Sequence, residues 1–257
     1  MEKSLYDELH RMERDHWWFR ARRRIVWSLV ERYLNVNSGT PLRVCELGCG
    51  TGGNLAPLIG RHQVVGIECA PEAIEYARRS LGGCVLNGRL PDNIQLPAGR
   101  FDVVLLTDVL EHVDEDAASA ATALRLLRPG GVLIATVPAY QWLYSARDAH
   151  HHHFRRYGKR QFARLWELAD AEMLVLSHYN SFLFPLAAAQ RLARKAFGSR
   201  SESGDLRLPT PIVNSLLSGI MGSEKTLLGR LSLPFGLSLI AVVRKRRAGT
   251  AFVAAAA

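Results

Sequence analysis

The sequence has 257 residues, of which 48% are hydrophobic and 22% are charged, and these values are typical of a globular protein rather than a disordered or fibrous one. The net charge of +9 lies almost wholly after residue 190, where 11 basic residues face 3 acidic ones, so contact with nucleic acid or an anionic membrane stays open. Four cysteines without a CxxC pair exclude a disulfide scaffold, and we expect a reducing, cytoplasmic environment.

Residues 1–36 predict a helical lid before the main domain. Residues 14–20 read RDHWWFR, and the basic segment Ala21–Tyr33 that follows is predicted to be a helix. The aromatic side chains are too crowded to fill one core face of a helix, so we expect Trp17 and Trp18 to contact substrate or to anchor the chain at an interface. Packing of this helix on a sheet is the alternative. The segment holds no apolar core of signal-peptide length.

Residues 37–181 alternate between strand and helix patterns, which predicts a core domain built on a parallel sheet. Uninterrupted apolar runs separated by helices are typical of a sheet buried on both faces, so the expected fold is a doubly wound, Rossmann-like α/β domain. Predicted strands are Leu42–Leu47, Val64–Glu68, Cys84–Leu86, Phe101–Thr107, Gly131–Val137 and Met173–Tyr179. Predicted helices are Asn54–Ile59, Pro71–Leu81, Asp116–Leu127 and Gln161–Ala171.

A helical insertion, residues 182–232, is predicted between the sixth and seventh strands. It holds two helical segments around the polar linker Ser199–Thr210. The last core strand, Ser238–Val243, lies within residues 233–247, and an Ala-rich tail occupies residues 248–257.

Two features favour peripheral contact with the inner face of a membrane. Residues 182–197 are apolar first and basic afterwards, and residues 244–247 are four consecutive cations. The longest apolar run, Leu231–Val243, is too short to span a bilayer. The alternative is a helical cap over the substrate.

The first predicted strand enters a glycine cluster, ELGCGTGG, at residues 46–53. Gly48, Gly50 and Gly52 permit a tight turn and a close approach of backbone to ligand. The spacing is GxGxG rather than the GxGxxG of dinucleotide sites, and the preceding Glu46 suits a ligand with a cationic group. Glu68 ends the second predicted strand, where an acid can accept both hydroxyls of a ribose.

Four ordered motifs extend this pattern, and with them the chain resembles the class I S-adenosylmethionine-dependent methyltransferases. The motifs are ELGCGTG, VGIE, FDVVLLTDVLEHV and LRPGGVLIATVP, within roughly residues 40–140. The resemblance implies a seven-stranded sheet and S-adenosylmethionine as cofactor. It places Glu46 and the glycine turn by the methionine part, Glu68 on the ribose, Asn87 to Leu90 by the adenine, and Asp108 in the cofactor site. Many members have an aspartate at position 87 or 89, which this chain lacks.

Asp108, Glu111 and His112 form a DxxEH pattern whose members share one face of a helical turn. Such a set can bind Mg²⁺ or Zn²⁺. The pattern looks like the metal site proposed in ubiquinone-pathway O-methyltransferases and small-RNA end methyltransferases. The interpretation we favour from sequence is a family signature that frames the cofactor pocket without metal.

The segment Trp142–Tyr157 reads WLYSARDAHHHHFRRY and follows the fifth predicted strand. Histidine titrates near neutral pH and can act as a general base. The candidate catalytic residues are Asp148, His150, His153 and Tyr157. The candidate substrate contacts in and beside this segment are Tyr140, Arg155 and Arg156, whose guanidinium groups can clamp an anion. The alternative is a solvated loop that holds the lid. HWWF and the later HxRRY resemble an uncharacterised bacterial branch of the family.

The sequence therefore predicts a methyltransferase acting on a small-molecule, hydrophobic or lipid-linked acceptor, with O-methylation favoured. A nucleic-acid-modifying or nucleic-acid-binding protein is a second hypothesis. The residues Thr107-Asp-Val-Leu after the fourth strand lack the NPPY-type motif of nucleobase methylation, which disfavours it. A methyltransferase-fold cyclase without methyl transfer is the third.

Overall fold

The computed structural model describes residues 3–34, 36, 39–189 and 208–247. Its centre is a seven-stranded sheet in the order β3-β2-β1-β4-β5-β7-β6, in which only β7 runs antiparallel to its neighbours. This confirms the predicted Rossmann-like α/β class. The strands are β1 Arg43–Leu47, β2 Gln63–Glu68, β3 Val85–Asn87, β4 Phe101–Thr107, β5 Leu127–Pro138, β6 Ala171–Tyr179 and β7 Ser238–Lys245.

Helices cover both faces of the sheet. They are α1 Lys3–Asp15, α2 Trp17–Tyr33, α3 Pro71–Leu81, α4 Asp116–Leu126, α5 Ala146–His150, α6 Lys159–Arg164, α7, described over residues 184–189, and α8 Pro211–Ser223. Short 3₁₀ turns occur at Ala56–Leu58, Leu110–His112, Gln141–Leu143 and Glu224–Thr226. Among the helices of the described residues, none combines the length and apolarity that crossing a bilayer requires.

Two apolar cores lie on opposite faces of the sheet. Val103 of β4 points into the core under α2, whereas its neighbour Val104 points into the core under α4. Because successive side chains of a strand alternate between faces, a strand covered on both sides must be apolar throughout. All seven residues of β4 are buried, as its uninterrupted pattern predicts.

Two of the predicted helices are wrong in part. Residues 54–59 form turns and one 3₁₀ turn instead of an α-helix, because Pro57 has no N–H to donate and Gly60 reverses the chain at φ +80°. The segment predicted as Gln161–Ala171 is helical only over Lys159–Arg164. Its last residue pairs with Lys245 of β7, so strand pairing ends the helix early.

The insertion between β6 and β7 is anchored by a buried carboxylate. Glu224 Oε1 accepts hydrogen bonds from the backbone N–H groups of Ser181 (2.6 Å) and Phe182 (3.0 Å). These contacts fix the point where the chain leaves the sheet. Most of the predicted linker Ser199–Thr210, together with the basic part of residues 182–197 and the predicted tail, lies outside the described residues.

Candidate active site

A cavity of about 1880 Å³ opens at the carboxyl ends of the parallel strands. This is the edge at which open α/β sheets bind ligands. Three segments surround it: the glycine turn after β1, the histidine segment after β5, and the two N-terminal helices.

The glycine turn forms the floor of one end of the cavity. The N–H groups of Gly48 (2.8 Å) and Cys49 (2.9 Å) donate to Ile67 O, which ties the turn to β2. Gly48 has φ +69°, and a Cβ there would lie 2.7 Å from the Val109 side chain. Gly50 also has a positive φ of +55°, so both cavity-lining positions favour glycine strongly. Gly52 turns away from the cavity and packs on α3.

Glu68 lies at the end of β2 on the cavity wall. One carboxylate oxygen accepts from Gly50 N at 2.9 Å, and the other accepts from Cys69 N at 2.9 Å and Ala70 N at 3.0 Å. Leu90 lines the same wall, whereas Asn87 is exposed on β3 and is not part of the lining.

Glu46 is fully buried one layer behind the cavity. Its Oε1 accepts from Asn54 Nδ2 (2.6 Å) and Thr107 Oγ1 (2.8 Å), and both of these side chains line the cavity. Its Oε2 has no hydrogen-bond partner among the described residues, and burial raises the pKa of Glu46 to about 7. A contact between Glu46 and a ligand would therefore pass through Asn54 and Thr107.

The N-terminal helices close over the glycine turn through a carboxylate that the sequence analysis missed. Glu13 of α1 accepts from Thr51 Oγ1 at 2.5 Å and from Gly53 N at 3.0 Å. Burial raises the pKa of Glu13. Since no local pattern marks this residue, only the packing of α1 on the turn reveals it.

Asp108 is held by a second residue that the sequence analysis missed. The Arg22 guanidinium forms a buried ion pair with Asp108 and lies 4.5 Å from the centre of the Trp18 ring. Thr136 Oγ1 donates to the other oxygen of Asp108 at 3.0 Å. Trp17 and Trp18 both line the cavity.

Glu111, His112 and His153 form a group that could hold a metal ion. One ligand atom from each lies within 4.8 Å of the others. Glu111 Oε2 is buried without a partner among the described residues, and burial, followed by the charge of Asp108, raises the pKa of Glu111. Burial and the neighbouring His153 lower the pKa of His112 to about 3, so that imidazole is neutral. The group differs from the predicted trio, because Asp108 pairs with Arg22 and His153 takes its place.

Asp148 is buried and orients the imidazole ring of His153 by a hydrogen bond. It accepts from His153 Nδ1 at 3.0 Å and from Arg156 Nε at 2.8 Å. Burial would raise the pKa of Asp148, but the His153 hydrogen bond and the charge and hydrogen bond of Arg156 hold it below its usual range. His150 and Arg156 both line the cavity.

Three other predicted residues lie off the cavity wall. The Tyr157 hydroxyl is within hydrogen-bond distance of Asp116 Oδ2 (2.9 Å) and Leu110 O (3.1 Å). Arg155 forms ion pairs with Asp114 at 3.1 Å and Asp116 at 3.0 Å. Tyr140, at φ +62°, stacks on His178 with ring centroids 5.2 Å apart. These contacts favour structural roles for Tyr157, Arg155 and Tyr140.

Curated relatives share the central motifs over part of their length. The chain is 35% identical over 101 residues to a ubiquinone biosynthesis O-methyltransferase from Cereibacter sphaeroides, covering 37% of this chain and 40% of that protein. A protein of the same name from Methylocella silvestris is 29% identical over 171 residues, covering 59% of this chain and 66% of its own length. The alignments thus span less than two thirds of these relatives.

The fold is shared more widely than the sequence. The structure of a SAM-dependent methyltransferase from Thermotoga maritima matches with a TM-score of 0.57 at 18% identity, covering 95% of this chain and 97% of that one. A family model described as a methyltransferase domain matches residues 15–176, from the end of α1 into β6. The chain therefore belongs to the methyltransferase-domain family of class I S-adenosylmethionine-dependent proteins.

Proposed function

We propose that the chain transfers the methyl group of S-adenosylmethionine to an oxygen atom of a hydrophobic acceptor. The observation that carries the proposal is the joint placement of the glycine turn, Glu68 and the Glu111–His112–His153 group on the wall of one cavity. The first two parts suit the cofactor, and the third suits an acceptor that must lose a proton.

The cofactor end fits S-adenosylmethionine. The backbone of Gly48 and Gly50, both at positive φ, lines the cavity without a side chain, and Glu68 has the position and charge to accept ribose hydroxyls. The carboxylates of Glu46, which is fully buried, and Glu13, which is partly buried, favour a ligand that carries positive charge, as a sulfonium and an ammonium do. Leu90 and its neighbours provide an apolar wall for the adenine.

The part of the cavity that we assign to the acceptor, at Glu111, His112 and His153, has donor atoms that suit a metal ion. Glu111 offers a buried unpartnered oxygen, His112 is a neutral imidazole, and Asp148 fixes the ring of His153. Two imidazoles and one carboxylate suit Zn²⁺ or a similar transition metal better than Mg²⁺, which prefers oxygen ligands. A bound ion would act as a Lewis acid toward an acceptor hydroxyl. His150, also on the wall, is left to contact the acceptor or its proton.

The rest of the wall favours an apolar acceptor. Aromatic and aliphatic side chains line the cavity beyond the histidines: Trp17, Trp142, Leu143, Leu183, Leu186 and Leu217. The curated relatives named as ubiquinone biosynthesis O-methyltransferases support oxygen as the accepting atom.

The test is transfer of a labelled methyl group from S-adenosylmethionine to phenols and alcohols with short and long apolar tails. We expect O-methylated product, with faster turnover for the long-tailed acceptors. Turnover should fall after chelation with EDTA and return with Zn²⁺. Retention of turnover in EDTA would assign proton removal to His153 as a general base. Labelled product only on nitrogen or carbon acceptors would contradict the proposal.

A further inference from the structure

Helix α8 has its polar face inside and its apolar face outside. On the buried side, Asn214 accepts from Trp17 N and donates to Asp15 O, each at 2.8 Å. One turn further on, Arg24 Nη2 donates to the hydroxyl oxygen of Ser218 at 2.6 Å. A helix that merely covers a core carries the reverse pattern. Met221 is the apolar residue of α8 that is fully buried in the core with α2, whereas the apolar side chains on the outward side of α8 do not hold it there.

The outward side of α8 is bulky and aliphatic. Ile212 is 82% exposed and Leu216 is 60% exposed, and Val213 is exposed beside them. At the start of the insertion, Leu186 is 70% exposed and Phe182 is also exposed. We call these five residues the outer apolar face.

This face borders the mouth of the cavity. Leu183, Leu186 and Ala187 at the start of the insertion line the cavity together with Leu217 of α8. Leu186 belongs both to the lining and to the outer apolar face, so the apolar wall of the cavity continues onto the surface. An apolar molecule moving between the surface and the cavity would stay in contact with apolar side chains.

The charge around the face favours an anionic, apolar partner. Residues 181–189 and 208–223 contain no charged side chain. In the sequence, residues 190–207 between them carry five basic residues and two acidic ones: Arg191, Arg194, Lys195, Arg200 and Arg207 against Glu202 and Asp205. Lys225, directly after α8, is exposed. Apolar segments joined in sequence by a net basic segment are typical of chains that bind the interface of an anionic bilayer.

The basic run at residues 244–247 does not belong to this surface. Ser238 of β7 pairs with Pro138 at the cavity end of the sheet, whereas Arg244 pairs with Val132 at the other end. Arg244 also lies 3.6 Å from Glu172. Arg244 therefore lies at the end of the sheet away from the outer apolar face.

We propose that the outer apolar face docks on a lipid bilayer containing anionic lipids and that the acceptor enters the cavity from that bilayer. The second part rests on the proposed function, because it takes the cavity as the site of methyl transfer. Docking on the bilayer does not rest on the proposed function, because it is argued from the outer apolar face alone. The reacting group of the acceptor reaches the Glu111–His112–His153 end, and its apolar portion lies along Leu183, Leu186 and Leu217 toward the membrane.

The experiment is flotation of the full chain with vesicles of phosphatidylcholine alone or mixed with phosphatidylglycerol, at low and high salt. The test variant combines Ile212→Ser and Leu216→Ser. The matched control is Met173→Ser, which removes an exposed apolar side chain near the opposite end of the sheet. Binding of S-adenosylmethionine is measured by calorimetry on the same three proteins and shows whether each is folded.

We expect the unmodified chain and the control to float with the mixed vesicles, more at low salt than at high salt. The partition coefficient of the double variant onto the mixed vesicles should be lower by about tenfold, because the apolar contribution of Ile212 and Leu216 is lost. The inference is overturned if the unmodified chain stays at the bottom at every salt concentration, or if the double variant floats like the control. A dimer in sedimentation equilibrium that the double substitution dissociates would assign the face to a second copy and also overturn it. Cofactor binding without flotation contradicts only this inference, and flotation without cofactor binding contradicts only the proposed function.

Discussion

Nδ1 of His153 donates a 3.0 Å hydrogen bond to Oδ1 of Asp148. Because a carboxylate only accepts hydrogen bonds, Nδ1 of His153 must carry the proton. The lone pair of the ring is therefore on Nε2, which faces away from Asp148 and is free to bind a metal ion. The ring centroids of His153 and His112 are 4.6 Å apart. One buried aspartate therefore sets both the tautomer and the direction of the histidine that completes the candidate metal group.

The first prediction follows from that contact. Asp148→Asn should lower the affinity for Zn²⁺ by roughly ten- to a hundredfold, the usual effect of losing a residue that orients a metal ligand. Calorimetric titration of the metal-free protein with Zn²⁺ measures it. Asp114→Asn is the control, since the Asp114 side chain is exposed and forms an ion pair with Arg155 rather than with the metal group. Equal Zn²⁺ affinity in the unmodified chain and Asp148→Asn would show that the contact does not support a metal site.

The second prediction concerns the glycine turn. Gly48→Ala should abolish binding of S-adenosylmethionine, because the new Cβ would lie 2.7 Å from Val109 and because φ +69° strains an alanine. Gly83→Ala is the control, as nothing lies within 4 Å of its added Cβ and its φ is not positive. The readout is the rise in melting temperature on adding cofactor, which reflects about 2.7 kcal/mol at a hundredfold excess over Kd. A full rise in Gly48→Ala would reject the turn as the cofactor cradle.

The third prediction concerns the lid. Glu13→Ala removes the hydrogen bonds from Thr51 and Gly53, and each lost bond to a carboxylate contributes about 1.5–3 kcal/mol. We expect faster hydrogen exchange in α1 and faster dissociation of S-adenosylmethionine. Glu31→Ala, an exposed glutamate on α2, should change neither rate. If α1 exchanges at the same rate in Glu13→Ala, this carboxylate does not hold the lid closed.

The fourth prediction is a pH dependence of stability. His112 has its pKa lowered to about 3 in the folded chain, from 6.5, chiefly by burial. Between these values the unfolded chain binds a proton that the folded chain does not, so the free energy of unfolding rises with pH from about 3 to about 6.5. His112→Asn should flatten this rise by an amount on the order of a few kcal/mol. Urea unfolding at several pH values measures it, with His10→Asn as control, because that ring stacks on Tyr76 instead. A slope in His112→Asn equal to that of the unmodified chain contradicts the assignment.

The sequence predicts well those features that depend on neighbouring residues. The buried strands follow from uninterrupted apolar runs such as Phe101–Thr107, and the glycine turn follows from its spacing. The helix predicted at Asn54–Ile59 fails because one proline outweighs an apolar pattern. Glu13 and Arg22 could not be found from sequence, because each acts on a partner distant along the chain. The same distance explains why Asp108 was grouped with Glu111 and His112, although His153 lies there instead.

Calorimetric titration with S-adenosylmethionine, comparing the unmodified chain with Glu68→Ala, tests the central claim most directly. The account predicts one cofactor per chain and a loss of about 1.5–3 kcal/mol in Glu68→Ala, because charged hydrogen bonds to the ribose are removed. NADH should not compete, since the turn lacks the dinucleotide spacing. Absence of binding to the unmodified chain, or equal affinity in Glu68→Ala, would contradict the assignment of this cavity as a methyl-donor site.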